Sequence, residues 1–393
     1  MLAAGVAEGA RRLLAPRARP IQPAPVDLRS YFSTEELERG ARFARPQLAL
    51  GLARTAIELA SLAWVARRPP RPLTRMWHRP VAGGAAVGGL LAVALAAPPL
   101  PLSVISRRRA IAAGLDTQSW KAWAEDVVKA NALGAGFAAA GGAGVIAATR
   151  RYPRIWWAPA AVGSVAVGAL LAALAPVLLD PLFNDFTPLP EGETRTDVLE
   201  LAGAAGVKVG QVYSVDASRR TTAANAYVSG LGPTKRVVLY DTLLDRYSRD
   251  EVRLVVAHEL GHVRHRDVPR GVAFAAIVAP ALGFAVQRLS WALSPERGTP
   301  ATLPVLALSA ALVGAPVGLI GNGLSRALER RADQFSLELA GAPEAFVSFE
   351  RAVALQNVAD LEPPRWVSRL LSTHPPTAER IGAAVAFSAA AAS

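Results

Sequence analysis

The sequence predicts a mainly α-helical, polytopic membrane protein: a bundle of about six spans joined to a polar domain with a small β-sheet. Three observations predict it. Hydrophobic residues make up 52% of the 393 residues and mean hydropathy is +0.26, both high for a soluble enzyme. The apolar content falls in Ala-, Leu- and Val-rich runs of the ~20 residues needed to cross a bilayer. Between the fourth and fifth runs, residues 180–270 turn mixed and charged, long enough for a small domain.

In chain order, residues 1–46 are polar and rich in Pro and Arg. They are expected to form an N-terminal cytoplasmic segment, with residues 1–25 a solvated tail. Arg11, Arg12, Arg17 and Arg19 interrupt any apolar core of signal-peptide length, so insertion falls to the first internal span. Residues 47–179 are expected to hold four spans, at 48–66, 81–105, 127–148 and 155–179. In the first, Arg54 and Glu58 stand four residues apart and can neutralise each other. The second is rich in Gly and Ala, which lets helices approach closely, and Arg107-Arg108-Arg109 follows it as an anchor. Trp156-Trp157 marks the edge of the fourth.

Residues 180–270 form the next unit. Helical spacing runs over 193–206, and 212–215 and 236–240 read as strands. Residues 226–229 pair with the second strand through a turn at 230–235. Ser248 and Glu251 then stand as a capping box at the start of a helix. Two further spans, 271–289 and 301–320, fill residues 271–322, with kinks expected at Pro280, Pro304 and Pro316. Residues 323–393 turn polar and helical again and complete the polar domain. An even number of spans puts both polar parts on one side, taken as the cytoplasmic side of the cell membrane. The loop with Arg67, Arg68, Arg71, Arg75 and Arg79 falls on the other side, so the positive-inside balance is mixed.

The net charge of +12 comes from arginines flanking apolar runs, which suits anionic lipid headgroups. No basic patch interleaved with aromatics occurs, which excludes nucleic acid as a partner class. The chain has no cysteine, so metal ligands must be His, Asp or Glu.

Three of the five histidines fall within eight residues, in His258-Glu259-Leu260-Gly261-His262-Val263-Arg264-His265. Positions i and i+4 share one helix face, so His258 and His262 can grip one metal ion with Glu259 beside it as a base. This is the zinc-peptidase pattern His-Glu-x-x-His. Two histidines leave such a site one ligand short. His265 lies ~4.5 Å along the axis from His262 and ~10 Å from His258, too far to join them around an ion with bonds of ~2.0 Å. The third ligand therefore comes from another helix. Glu329 and Asp333, one turn apart among arginines, read either as a salt-bridged surface or, beside a two-histidine site short of a partner, as the best candidate ligand and a carboxylate that can hydrogen-bond a ligating imidazole.

Together these pieces resemble the type 1 CAAX prenyl protease family, integral-membrane zinc metallopeptidases of the gluzincin kind. The likeness rests on His258 to His262 with His265 and Asp267, and on Ser325-Arg326 through Glu329 and Asp333. It rests too on Ser372-Thr373-His374-Pro375-Pro376 with Arg380, Ser218-Arg219-Arg220 through Asn225-Ala226-Tyr227, and Pro181-Leu182-Phe183-Asn184. Tyr31-Phe32-Ser33 and Thr117-Gln118-Ser119-Trp120 extend it over about residues 30–385. The resemblance implies one Zn2+ per chain on His258, His262 and Glu329, with Glu259 as general base. It implies that His374 and Arg380 assist at the scissile carbonyl. Asn225 and Tyr227, on an expected edge strand, would bind substrate backbone by strand addition. Family members commonly carry seven spans, against the six counted here. The function expected is a membrane-embedded zinc metalloendopeptidase, CAAX prenyl protease-like. Its partners would be the bilayer and a peptide or protein substrate, lipidated or membrane-embedded forms included. The alternatives are a quality-control peptidase for membrane proteins and a non-catalytic metal-binding scaffold.

Overall fold

The computed structural model describes residues 1–18, 20–68, 79–230 and 235–392. Arg19, Arg71 and Arg75, and residues 231–234 of the expected turn, lie outside them. The architecture is the expected one, a helical bundle with a small mixed sheet. Among the described residues five helices are long and apolar enough to cross a membrane: α2 (Thr34–Arg67), α5 (Trp120–Arg151), α6 (Trp157–Leu178), α10 (Asp267–Leu293) and α11 (Leu303–Ala340, with the turn Pro300–Thr302 before it). A sixth crossing exists if α3 (Pro80–Ala96) and α4 (Leu100–Ala112), bent by 49° at their break, count as one. The expected span 81–105 is thus a broken helix. Pro98, Pro99 and Pro101 stand at the break, where a missing N–H and a ring clash stop α-helix propagation.

One sequence feature acts as read. Gly84 and Gly142 face each other so closely that a Cβ on Gly142 would sit 2.3 Å from the Gly84 carbonyl oxygen, which draws α3 against α5. Pro304 does not kink a span as expected: it lies in the first turn of α11, where its missing N–H costs nothing. Pro280 and Pro316 lie inside continuous helices.

The N-terminal segment departs from expectation. Residues 1–25 are not a solvated tail: Leu2–Leu14 form α1, and its buried Ala3, Ala7 and Ala10 pack on Val278 of α10 and Val317 of α11. Small residues at three- and four-residue spacing give a close-packing stripe, while Glu8 pairs with Arg11 and Arg12 elsewhere on the helix. Beyond it, the Ala24 N–H donates to the Gly382 carbonyl of α13 (Thr377–Ala391). Leu28 and Phe32 then bury with Leu361 and Ile381. α1 therefore lies against the membrane helices, and residues 24–32 belt the polar domain.

That domain is built on a four-stranded sheet in the order β1 (Phe186–Pro188), β2 (Gln211–Val215), β4 (Arg236–Tyr240), β3 (Ala226–Ser229). β2 and β4 run parallel, and β1 and β3 are antiparallel edges. The pairing of 226–229 with 236–240 is as expected, with Tyr227 opposite Val238; β1 was not foreseen. Val237 and Leu239 of β4 bury against α7 (Glu193–Ala204) and against Val256 and Leu260 of α9 (Arg249–Arg264). α9 starts with the expected capping box: the Glu251 N–H donates to Ser248 Oγ, and the Ser248 N–H to Glu251. α8 (Asp241–Arg246) and α12 (Pro343–Gln356) complete the helices.

Candidate metal centre

One face of α9 is committed to the sheet. Ala257 and Gly261, on another face, are buried. A Cβ on Gly261 would stand 3.1 Å from the Phe335 ring and 3.4 Å from Ala332 Cα, so glycine sets how near α9 and α11 come. That closeness brings Glu329 to the histidines. His258 Nε2 lies 3.1 Å from His262 Nε2, 3.3 Å from Glu329 Oε2, and Glu329 Oε1 lies 3.6 Å from His262 Nε2. Three donors bound at ~2.0–2.1 Å around one tetrahedral ion stand about 3.3 Å apart, so the triangle matches a single-ion site. Glu329 Oε2 is buried without a hydrogen-bond partner, an orphan that a cation would satisfy. Among the described residues this is the group of three able to hold a metal ion, and His265 is outside it. His265 instead pairs Nδ1 with the Gly261 carbonyl at 2.9 Å and sets its ring edge-on to Phe335.

Each histidine is braced from behind. His258 Nδ1 lies 3.0 Å from Asp333 Oδ1, an ion-pair distance outside hydrogen-bond alignment, and His262 Nδ1 lies 2.9 Å from Asp267 Oδ2. Asp267 gets there because Arg266, at φ 57°, takes the left-handed conformation and separates α9 from α10. Arg331 holds the other Asp267 oxygen. Arg380 donates from Nε and Nη2 to Asp333, at 2.9 and 2.6 Å, and its Nη1 lies 2.6 Å from Glu350 Oε1.

Burial opposes charge throughout. It disfavours the His258 imidazolium, yet Asp333 and Glu329 outweigh it and hold that ring up to about 10. Burial pushes the Glu259 carboxyl above its ordinary range against the pull of both histidines. It also pushes Glu350, 1% exposed, up to about 7 despite Arg380. His374 is lowered by burial, with Glu329 opposing.

A cavity of about 240 Å³ opens here, lined by Asn225, His258, Glu259, His374 and Arg380. His374 Nε2 reaches Glu329 Oε2 at 3.3 Å. Its loop is tied to α11, where Arg326 donates to the Ser372 and Arg369 carbonyls at 2.5 Å and Asn322 to the Leu370 carbonyl at 2.8 Å. Eight of the nine residues singled out from the sequence thus meet around one point. The Tyr227 side chain goes elsewhere: its hydroxyl donates to Asp180 Oδ2 at 3.2 Å, although its strand is the sheet edge packed beside α9.

The sequence reading missed the parts played by Asp267, Glu350, Arg326 and Asn322. Asp267 trails the motif by five residues, and nothing in that spacing shows that the helix breaks and turns the carboxylate back. Glu350 sits in an ordinary helical pattern and carries no local signal.

Fold and site together define the class: a multi-pass helical membrane protein whose His-Glu-x-x-His helix is completed by a glutamate from a second, membrane-continuous helix. The chain belongs to peptidase family M48, whose model matches residues 188–387, just over half its length. It is 34% identical over 241 residues to the uncharacterized metalloprotease YhfN of Bacillus subtilis, covering 59% of this chain and 57% of that one. It is 31% identical over 226 residues to a CAAX prenyl protease 1 homolog of Oryza sativa, covering 56% and 53%. The chain spans little more than half the length of these curated relatives. The crystal structure of S. mikatae Ste24p superposes with a TM-score of 0.78 over 97% of this chain and 95% of that one, at 21% identity. That likeness is one of fold, and the resemblance to CAAX prenyl proteases stands.

Proposed function

We propose that this protein is a zinc metalloendopeptidase that hydrolyses peptide bonds at the mouth of its membrane bundle. One observation carries the reading: Glu259 shares a cavity with His258, His374 and Asn225, beside the orphaned Glu329 oxygen. A base next to the ligand triangle serves hydrolysis, whereas a structural metal has no use for one.

His258, His262 and Glu329 would hold the ion. An all-nitrogen and oxygen donor set of three protein ligands with an open position suits catalytic zinc. When bound, zinc supplies Lewis-acid polarisation and an acidified water. Glu259 accepts the proton of the attacking water and returns it to the departing amine; its raised affinity for protons suits both halves of that task. His374 Nε2 donates a hydrogen bond to the oxyanion that develops on the carbonyl. Arg380, with two donors engaged by Asp333 and its third nitrogen 2.6 Å from Glu350 Oε1, adds positive charge to the cavity wall and braces Asp333 against His258. The substrate backbone extends the sheet along Tyr227 of β3 and Asn225 just before it.

The substrate class we assign is a peptide or protein presented at the membrane, with a lipidated C-terminal segment the first choice on the CAAX prenyl protease likeness. We assign the protein to the cell membrane with its catalytic domain cytoplasmic. The test is metal analysis of the purified protein together with cleavage of a farnesylated peptide and its unlipidated twin. Wild-type protein should carry one zinc and cleave, and Glu259→Gln should keep zinc and lose cleavage. Cleavage indifferent to the lipid would favour the quality-control reading. Undiminished cleavage by Glu259→Gln would sink the peptidase mechanism.

A further inference from the structure

A second cleft lies at the opposite end of the bundle. α10 leaves the metal centre at Asp267 and α11 returns to it at Glu329, so the loop joining them, residues 294–302, sits at the far membrane boundary. There a cleft of about 370 Å³ is lined by Arg154, Trp156, Trp291, Arg297 and Leu306, among others. Trp156 and Leu306 also line a second cavity of about 480 Å³. That one runs between α3, α5, α6, α10 and α11 and is walled by apolar residues such as Leu91, Val145 and Leu282. The two share Trp156 and Leu306, so a cationic mouth adjoins an apolar shaft within the bundle. Both volumes fall in the roughly 300–1,000 Å³ of small-molecule sites.

The mouth is cationic. Arg154 and Arg297 line it, and Arg150 lies against Gly298 at its rim. None of the three has a carboxylate partner among the described residues. Arg297 is held in place by donating to the carbonyls of Ser294, Glu296 and Trp291 and by stacking over the Trp291 ring at 5.3 Å. The one acid of the lining, Glu296, accepts from Thr299 Oγ1 at 3.3 Å. Arginines with tryptophans at the end of apolar helices make the chemistry of the lipid headgroup zone.

We propose that this cleft and shaft bind one anionic glycerophospholipid, with its phosphate on Arg154 and Arg297 and an acyl chain along the shaft. The site is distinct from the metal centre and does not depend on the proposed peptidase activity.

The test uses the full-length protein, stripped of lipid in detergent. Native mass spectrometry and thermal unfolding are followed during titration with phosphatidylglycerol, phosphatidylcholine or inorganic phosphate. Phosphatidylglycerol should bind one per chain, at least tenfold tighter than phosphatidylcholine, and inorganic phosphate should not reproduce its stabilisation. Arg154→Gln with Arg297→Gln should erase the preference while metal content stays normal. Because Arg297 also ties three carbonyls, Arg154→Gln with Arg150→Gln is the second variant and should weaken binding without touching those bonds. Leu306→Trp, at a residue that lines both cavities, should weaken phosphatidylglycerol binding as well. Equal binding of the two lipids, or a preference that survives both double variants, overturns the proposal. So does full stabilisation by inorganic phosphate, which would make the cleft an anion site without the shaft.

Discussion

The carboxylate of Asp267 reaches back across the left-handed residue Arg266 to lie 2.9 Å from Nδ1 of His262. The helix that presents the histidines must therefore end just where it does. A straight continuation of α9 would carry Asp267 away from the ring. With the break, the first residue of a membrane helix fixes the imidazole, and Asp333 does the same for His258 from another membrane helix.

Replacing either brace should loosen metal binding without removing a ligand. Asp267→Asn and Asp333→Asn are each expected to lower metal affinity about 10–100-fold, read by competition with a chelator. Unchanged affinity in both would show that the carboxylates do not orient the rings.

Ligand choice can be read directly from metal content. Glu329→Ala should leave the purified protein without its metal, whereas His265→Ala should retain it, since His265 bonds the Gly261 carbonyl and lies outside the ligand triangle. Loss of metal from His265→Ala alone would contradict the assignment.

Arg326 is a positioning residue for His374 through the Ser372 and Arg369 carbonyls. Arg326→Ala should keep metal and fold but lower kcat, by up to about 10²-fold if His374 moves by an ångström. KM should change little by comparison, and Arg326→Lys should recover part of the rate. A variant that loses metal or fold along with activity would assign Arg326 a structural role instead.

The close approach of α3 and α5 should be sensitive to size. Gly142→Leu forces a side chain onto the Gly84 carbonyl and is expected to cost on the order of 1–3 kcal/mol, seen as earlier thermal unfolding in detergent. Gly141→Ala is the matched control, because a Cβ there meets nothing within 4 Å.

Acid should weaken the domain through Asp197. This buried carboxylate joins α7 to α9 by accepting from Arg249 and Arg253, and the Arg249 hydrogen bond holds it below its ordinary 3.8. A lowered carboxyl stabilises the fold above its unfolded value and loses that contribution as pH falls through the folded one. Stability should thus drop as pH falls from 3.8 downward, and Asp197→Asn should be less stable near neutrality and show a shallower acid loss. Parallel pH curves for the two proteins would rule out this contribution.

Much was legible in the sequence because it is local. Apolar runs of spanning length marked the bundle, the Ser248–Glu251 box marked the start of α9, and the i, i+4 histidines marked half of a metal site. Helix rise alone ruled out His265 and demanded a ligand from another segment. Other features left no local trace. Ala3, Ala7 and Ala10 look like a polar tail's filler until Val278 and Val317 are beside them, because burial belongs to both surfaces.

The sequence by itself determined the membrane class and the residues that are candidates for ligands and base, all set by composition and by the geometry of single helices. Only the tertiary structure decided the rest: how near Gly261 lets α11 come, where Arg266 turns Asp267, and that Glu350 and Arg380 close the chain of charges behind Asp333. A side chain's reach is a few ångströms. Contacts between residues 60 or 100 positions apart therefore depend on how whole helices pack, which no short stretch of sequence encodes.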